Sequence, residues 1–388
     1  VFRLRRRLLP ALALPAPEPH APDGNDRVEV ATLAPGGRLL VAGLRSGHVA
    51  AIDLGAGRLA WAVAAHEGPV RCLAFGATER WVLTAGDDLR ATLRRGDNGR
   101  EFTSFEAVPL RSVYEIALSS DARYAATRGF DGFGRVWDLR LSREVCAPTA
   151  YGFAFGPRGR FLVSTLARTP GAEVHHIWPR STADAPLRIL PEELVQGVAA
   201  DASNAHVAAT GGTRDGRAVV WFVGPDDGRT LGECVVAAPA EAAAPAAAHA
   251  PAFSADGRWL AVAVSDGRVV RIDVAARTVA DTWRLPAGSR PRRVGFIAGD
   301  VWVTSLDDVP GDTAVGTDLP VTTRLLRPGV TEPVWTLAGE ATMSEEQAFG
   351  AAVLPEGDLV LFELAGGRPA WRLRPSAHGT RWDVQQTQ

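Results

Sequence analysis

The residues of this chain best suited to chemistry are the pair His175-His176 and the acidic pairs Asp87-Asp88 and Asp307-Asp308. Adjacent histidines share a metal only when both rings reach one side of the backbone, and on a strand successive side chains point to opposite faces. One buried and one exposed histidine is therefore the expectation. Aspartate in a turn caps its own backbone, so the acidic pairs read as turn formers before they read as a cation site or an acid-base pair. Cys72, Cys146 and Cys234 lie far apart with no Cys-x-x-Cys spacing, and all three are read as small core hydrophobes. The sequence contains no lysine, which removes P-loop, Schiff-base and Ser-Lys chemistry, each needing an amine on a flexible stem. A Gly-x-Ser-x-Gly elbow is also absent. No catalytic residue, metal or cofactor is expected, and the chain reads as a non-enzyme.

The elements that position these residues follow from composition and repetition. At 388 residues, 46% hydrophobic and 22% charged, the chain is long enough to bury a large core. A net charge of -2 gives no reason to expect nucleic acid, and no run of 18 apolar residues suggests a membrane span. The opening Val1 to Ala16 has a basic start and a short apolar run broken by Pro10 and Pro15. Cytoplasmic location is the reading, with a secretory signal as the alternative. The arginine and alanine bias suggests a GC-rich bacterial genome, and the missing initiator Met suggests either a GTG start or a piece of a longer protein.

Six segments align without gaps: 34–44, 76–86, 119–129, 156–166, 201–211 and 254–264. Each is a polar turn followed by a short apolar strand. Weaker copies start near Phe296 and Glu345. A second turn and a third strand follow, as in Ser46 to Asp53, Asp131 to Asp138, Asp215 to Trp221 and Asp266 to Asp273. In these, a bulky apolar residue (Ile52, Trp137, Trp221 or Ile272) sits six places after the residue that opens the turn. Four short strands per unit of about 40 to 50 residues is a β-propeller pattern. The predicted fold is all-β: a single propeller of four-stranded antiparallel blades over residues 25–375, with eight blades favoured and seven as the alternative. Residues 1–24 are read as a basic, Pro-rich tail whose Val1 to Leu9 closes the ring as a strand, and 376–388 as a C-terminal tail. Ala237 to Pro251 reads as a loop extension and Asp307 to Pro320 as an insertion within blade seven.

At Trp137-Asp138, Trp221 and the run from His66 to Phe75 the chain resembles the WD-repeat family. That resemblance implies a buried hydrogen-bond chain of His, Ser or Thr, Asp and Trp in each blade. Blade two offers His66, Thr84 and Asp87 with Leu93 in the Trp place; blade three offers Thr127, Asp131 and Trp137 without a His. The stretches ending in Trp61 and Trp371 are similar to the tryptophan-docking motif of quinoprotein-type propellers, in which the fourth-strand Trp stacks on a neighbouring blade.

The WD-repeat resemblance implies a monomeric, non-catalytic scaffold for a protein or peptide, working beside or attached to a signalling or effector partner. Its contact residues are expected on one rim, at Arg128, Phe130, Asp131 and Phe133, with Arg214 and Asp215 nearby, because exposed aromatics with arginine are typical of binding hot spots. The alternatives are a quinoprotein- or lactonase-like propeller enzyme using the channel mouth, and an exported propeller scaffold.

Overall fold

The apolar segment after each polar turn is a strand, and several are buried along their whole length. Leu39–Leu44, Val207–Gly212 and Ala218–Val223 have no exposed position. Such strands read as continuous apolar runs because neighbouring blades cover both faces of the sheet. The outermost strands differ: in Arg58–Ala64 only Trp61 is fully buried.

The computed structural model describes residues 26–386 apart from 36, 55, 57, 108–112, 130, 132, 149–151, 167–168, 178–184, 202–205, 239–245, 298, 308–320, 343–348, 354–357, 364–367 and 376–381. Its strands form eight antiparallel sheets, seven of four strands and one of five, each in simple chain order. The blades span 28–64, 70–106, 113–146, 153–189, 194–237, 248–284, 290–338 and 340–386. Eight blades, rather than seven, is the arrangement. First strands of successive blades touch one another from blade one to blade seven, and blade eight's touches blade one's, so the first strands lie nearest the axis and the fourth strands at the rim.

Hydrophobic clusters lie between blades rather than within them. The cluster that closes the ring joins Leu40, Leu44 and Ile52 of blade one to Leu359, Leu361 and Leu373 of blade eight. Blade one's first strand, Val28–Leu33, packs there against blade eight's first two strands, Glu340–Thr342 and Phe349–Val353. Each of these blades is therefore complete from contiguous chain. The closing strand expected from Val1 to Leu9 lies outside the described residues, as does the rest of the 1–24 tail.

Two boundaries differ from expectation. The eighth sheet continues past 375, because Trp382–Gln386 pairs with Arg368–Pro375 as a fifth strand on its outer edge. The supposed loop up to Pro251 is shorter, because Ala248–Phe253 is blade six's first strand. Its pairing shifts between His249 and Ala252, so Pro251 occupies an irregularity where its missing N–H breaks no ladder bond.

In an up-and-down meander successive turns alternate between the two faces of the ring. Second-to-third-strand turns and the links between blades share one face, termed upper here; first-to-second and third-to-fourth turns share the lower. The upper turn of blade one shows why glycine is needed: Gly47 has φ +87, and a Cβ there would lie 2.1 Å from the His66 carbonyl oxygen.

Candidate functional site

Blade two holds the most complete polar chain. His66 lies in the link before Val70–Phe75, with Thr84 on the next strand, Trp81–Gly86. The His66 ring meets Thr84 Oγ1 through Nε2 at 2.9 Å and Asp88 through Nδ1 at 3.0 Å. A neutral ring with its proton on Nδ1 satisfies both contacts: Nδ1–H donates to the carboxylate and Nε2 accepts from the hydroxyl. Burial lowers the His66 pKa, more than the Asp88 charge raises it.

The aspartate in this chain is Asp88, not the expected Asp87. Asp87 instead accepts from Arg71, with 2.6 Å between Arg71 Nη2 and its carboxylate. Leu93, in the Trp place, is buried and has no hydrogen-bonding group to contribute. Blade three solves the same problem differently. Trp137 Nε1–H donates to Thr127 Oγ1 at 3.0 Å, and Thr127 donates to the Ala107 carbonyl at 2.9 Å. A backbone oxygen thus takes the part played by the His66 ring. Asp131 stands apart from this chain; it accepts from Arg135 at 2.7 Å and from the Phe133 N–H at 3.3 Å.

The tryptophans knit blades together. Trp61 Nε1–H donates to the Gly96 carbonyl of blade two at 2.7 Å, and its ring covers Gly99, where a Cβ would approach to 2.5 Å. Trp283 repeats the arrangement, donating to the Val330 carbonyl of blade seven at 2.8 Å. Trp221 is buried between blades four and five. Trp371 sits on a described strand, but its side chain lies outside the described residues.

On the expected rim, the six contact residues separate. Phe133 is 45% exposed, on blade three's upper turn. Arg214 is well exposed on blade five's upper turn, 3.5 Å from an equally exposed Glu192. Asp215, exposed beside it, accepts from Arg217 at 2.8 Å and from Thr213 Oγ1. Arg128 and Asp131 are not rim groups. Arg128 is turned inward to its cross-strand partner Glu115, with 2.7 Å from Nε to the carboxylate, and Asp131 is 9% exposed under its Arg135 pair. Phe130 lies outside the described residues.

Sequence reading missed the axial charges. Glu29, Arg71 and Glu115 come from the first strands of blades one, two and three, and Arg71 bridges Glu29 and Asp87. Arg293 of blade seven acts electrostatically on Glu115 and on Cys72, which places these first strands around a common axis. Burial raises the Glu115 pKa against the opposing pull of Arg128 and Arg293. The available signal was a charge interrupting the apolar first strands of blades one to three, as in Val28-Glu29-Val30 and Val70-Arg71-Cys72.

Other chemical candidates resolve as packing. His175 Nε2 meets Ser164 Oγ at 3.2 Å, and burial pushes its pKa down to about 4. His175 and His176 are both part-buried, not one buried and one exposed, because neighbouring blades cover both faces of their strand. Asp307 is held by Arg324; Asp308 and the rest of the insertion lie outside the described residues. Cys72 and Cys234 are buried, Cys146 is only part-buried, and burial pushes the Cys72 and Cys146 thiols up to about 12. Among the described residues no group of three or more His, Cys, Asp or Glu could hold a metal ion, and no helix is long and apolar enough to cross a membrane.

Residues 57–91 match the family model of the WD domain, G-beta repeat. The span covers blade one's outer strand, blade two's first two strands and the whole His66–Thr84–Asp88 chain. The chain is an eight-bladed β-propeller, one stretch of which matches a WD repeat. A search of curated proteins returns no match. Among solved structures, the computationally designed Ika8 protein is similar over 88% of this chain and 98% of its own, with a TM-score of 0.61 and 14% identity. At that identity the likeness shows the fold alone.

Proposed function

We propose that this propeller is a non-catalytic platform that binds a protein or peptide across its upper rim. WD-repeat propellers typically serve as interaction scaffolds. The observation that carries the reading here is Phe133, an aromatic ring held 45% in solvent on a turn whose neighbours are fixed by ion pairs. Asp131, itself paired with Arg135, accepts from the Phe133 backbone N–H, so the turn is held in place and little backbone entropy is lost when the ring is covered. Covering a large aromatic contributes about 2 to 3 kcal/mol. Arg214 and Asp215, on the same face two blades away, supply polar contacts at the edge of such a footprint.

In this reading the propeller acts as a monomer in a bacterial cytoplasm beside a signalling or effector partner. Capture from the source cell's lysate on immobilised propeller tests it. The Phe130→Ala, Phe133→Ala double variant, with an unchanged melting curve, is expected to lose specific partners. Unchanged recovery would overturn the rim assignment.

A further inference from the structure

On the lower face, the first-to-second-strand turns of blades three and four enclose a cleft of about 410 Å³ lined by Asp121, Arg123, Tyr124, Arg158 and Arg160. The two turns are locked together. The Arg158 backbone N–H donates to Ser120 Oγ at 2.9 Å, and a Cβ on Gly159 would approach the Tyr124 ring to 2.7 Å. The Arg123 guanidinium lies 4.9 Å over the Tyr124 ring and reaches Asp138 at 3.4 Å.

The ring supplies its own control. Arg38, Arg80, Arg123 and Arg160 hold the same place in four aligned turns. Between blades one and two, the corresponding cleft of about 350 Å³ includes Arg38, Asp53, Glu79, Arg80 and Asp97. Arg38 pairs with Asp53 at 2.8 Å, its backbone N–H donates to Glu79, and Asp97 pairs with Arg95 at 2.5 Å. In blade four Gly159 stands in the place of Glu79, and Arg158 in the place of Thr78. On blade four's turn one acid is lost and one cation gained; on blade three's turn Asp121 stands in the place of Gly36, so the lining holds three arginines to one acid, against two arginines to three acids in the blade one–two cleft. Arg158 and Arg160 are exposed and have no acidic partner among the described residues.

We propose that the blade three–four cleft is a second docking site, taking an acidic segment of a protein partner whose carboxylates fill the role of Glu79 and Asp97 in the blade one–two cleft. Arginine forks bind carboxylates in bidentate geometry, and the cleft has room for one or two side chains. A nucleic-acid backbone is a poorer fit, because its affinity depends on many clustered cations.

Fluorescence anisotropy with a fluorescein-labelled peptide rich in Asp and Glu tests the proposal, using its Asn/Gln counterpart as control. The acidic peptide is expected to bind at low salt and weaken as salt rises, while the neutral one does not bind. The Arg158→Gly, Arg160→Ser double variant should bind about tenfold more weakly or worse, and Arg38→Ser, Arg80→Ser should bind as the parent does. Glycine suits residue 158, whose φ is 53, so the fold is retained; Arg160→Ser alone should give an intermediate loss. Unchanged binding by the double variant would overturn the proposal, as would equal affinity for the neutral peptide. Displacement of the peptide by phosphatidylserine vesicles or single-stranded DNA at lower concentration would also overturn it. The Phe133→Ala variant should bind this peptide normally, which separates failure here from failure of the upper-rim reading.

Discussion

Blades two and three hold the same hairpin by different polar chains. In blade two the buried Thr84 hydroxyl meets an imidazole, His66, which is itself anchored on Asp88. In blade three the equivalent Thr127 hydroxyl meets the Ala107 carbonyl and is capped from the other side by Trp137. What the two share is a requirement rather than a residue set: a buried hydroxyl on the second strand needs a partner, and the link from the preceding blade supplies one. Blade two concentrates its stability in a charged group beneath a ring. Blade three spreads it over neutral bonds and keeps its aspartate in a separate ion pair.

The sharpest way to break the comparison is His66→Ala. It leaves the Asp88 carboxylate, whose side chain is 8% exposed, with only the Glu67 and Arg90 backbone N–H groups among the described residues, and leaves Thr84 without its ring partner. A loss of about 2 to 4 kcal/mol is expected, read as a lower urea midpoint at unchanged slope. A loss below that of the blade-three variants would mean that blade two does not lean on its histidine.

Next in size is Asp131→Ala, which leaves Arg135, among the described residues, with only the acidic partner Glu144, at 3.9 Å. Loss of the 2.7 Å pair and of the turn's carboxylate cap should cost about 1 to 3 kcal/mol. A superimposable urea curve would remove Asp131 from the fold and return it to the binding rim.

The architecture was legible because its signal repeats: turn, apolar strand, turn and bulky residue recur along the chain, and a ring of blades is their geometric consequence. Trp61 was legible for a similar reason, since a Trp on a fourth strand has a neighbouring blade to dock on. The polar chains were only half legible. Asp87 and Asp88 are adjacent on a turn, and sequence does not say which one faces the ring. The Ala107 carbonyl carries no side-chain signature at all. Arg128 and Asp131 looked like surface groups because their partners are 13 and 4 residues away, Glu115 through cross-strand register and Arg135 across a hairpin. The blade three–four cleft was hidden because its meaning lies in a difference between aligned turns, Glu79 against Gly159, and in the turns' meeting in space.

A smaller effect is expected from Trp137→Phe. The substitution keeps an aromatic ring against Phe105, whose centroid is 4.6 Å away, but deletes the N–H that caps Thr127. Thr127 still donates to Ala107, so no buried donor is orphaned and the cost should be about 1 kcal/mol. A loss as large as that from His66→Ala would show that blade three depends on its tryptophan as blade two does on its histidine.

The most modest effect is the pH response that only blade two's chain should show. Burial lowers the His66 pKa below the ordinary 6.5, so the unfolded chain takes up this proton more readily than the folded one. Its contribution is therefore fully present above pH 6.5 and is lost as pH falls through the folded-state value. His175, held down to about 4 in blade four, acts in the same direction over a wider window and sets a background common to all variants. Urea midpoints between pH 7.5 and 5 should thus fall less steeply in His66→Gln than in the parent, whereas Trp137→Phe should keep the parent slope. Equal slopes in all three proteins would mean that the His66 proton is not linked to folding, and the contrast between a titratable and a neutral blade would then fail.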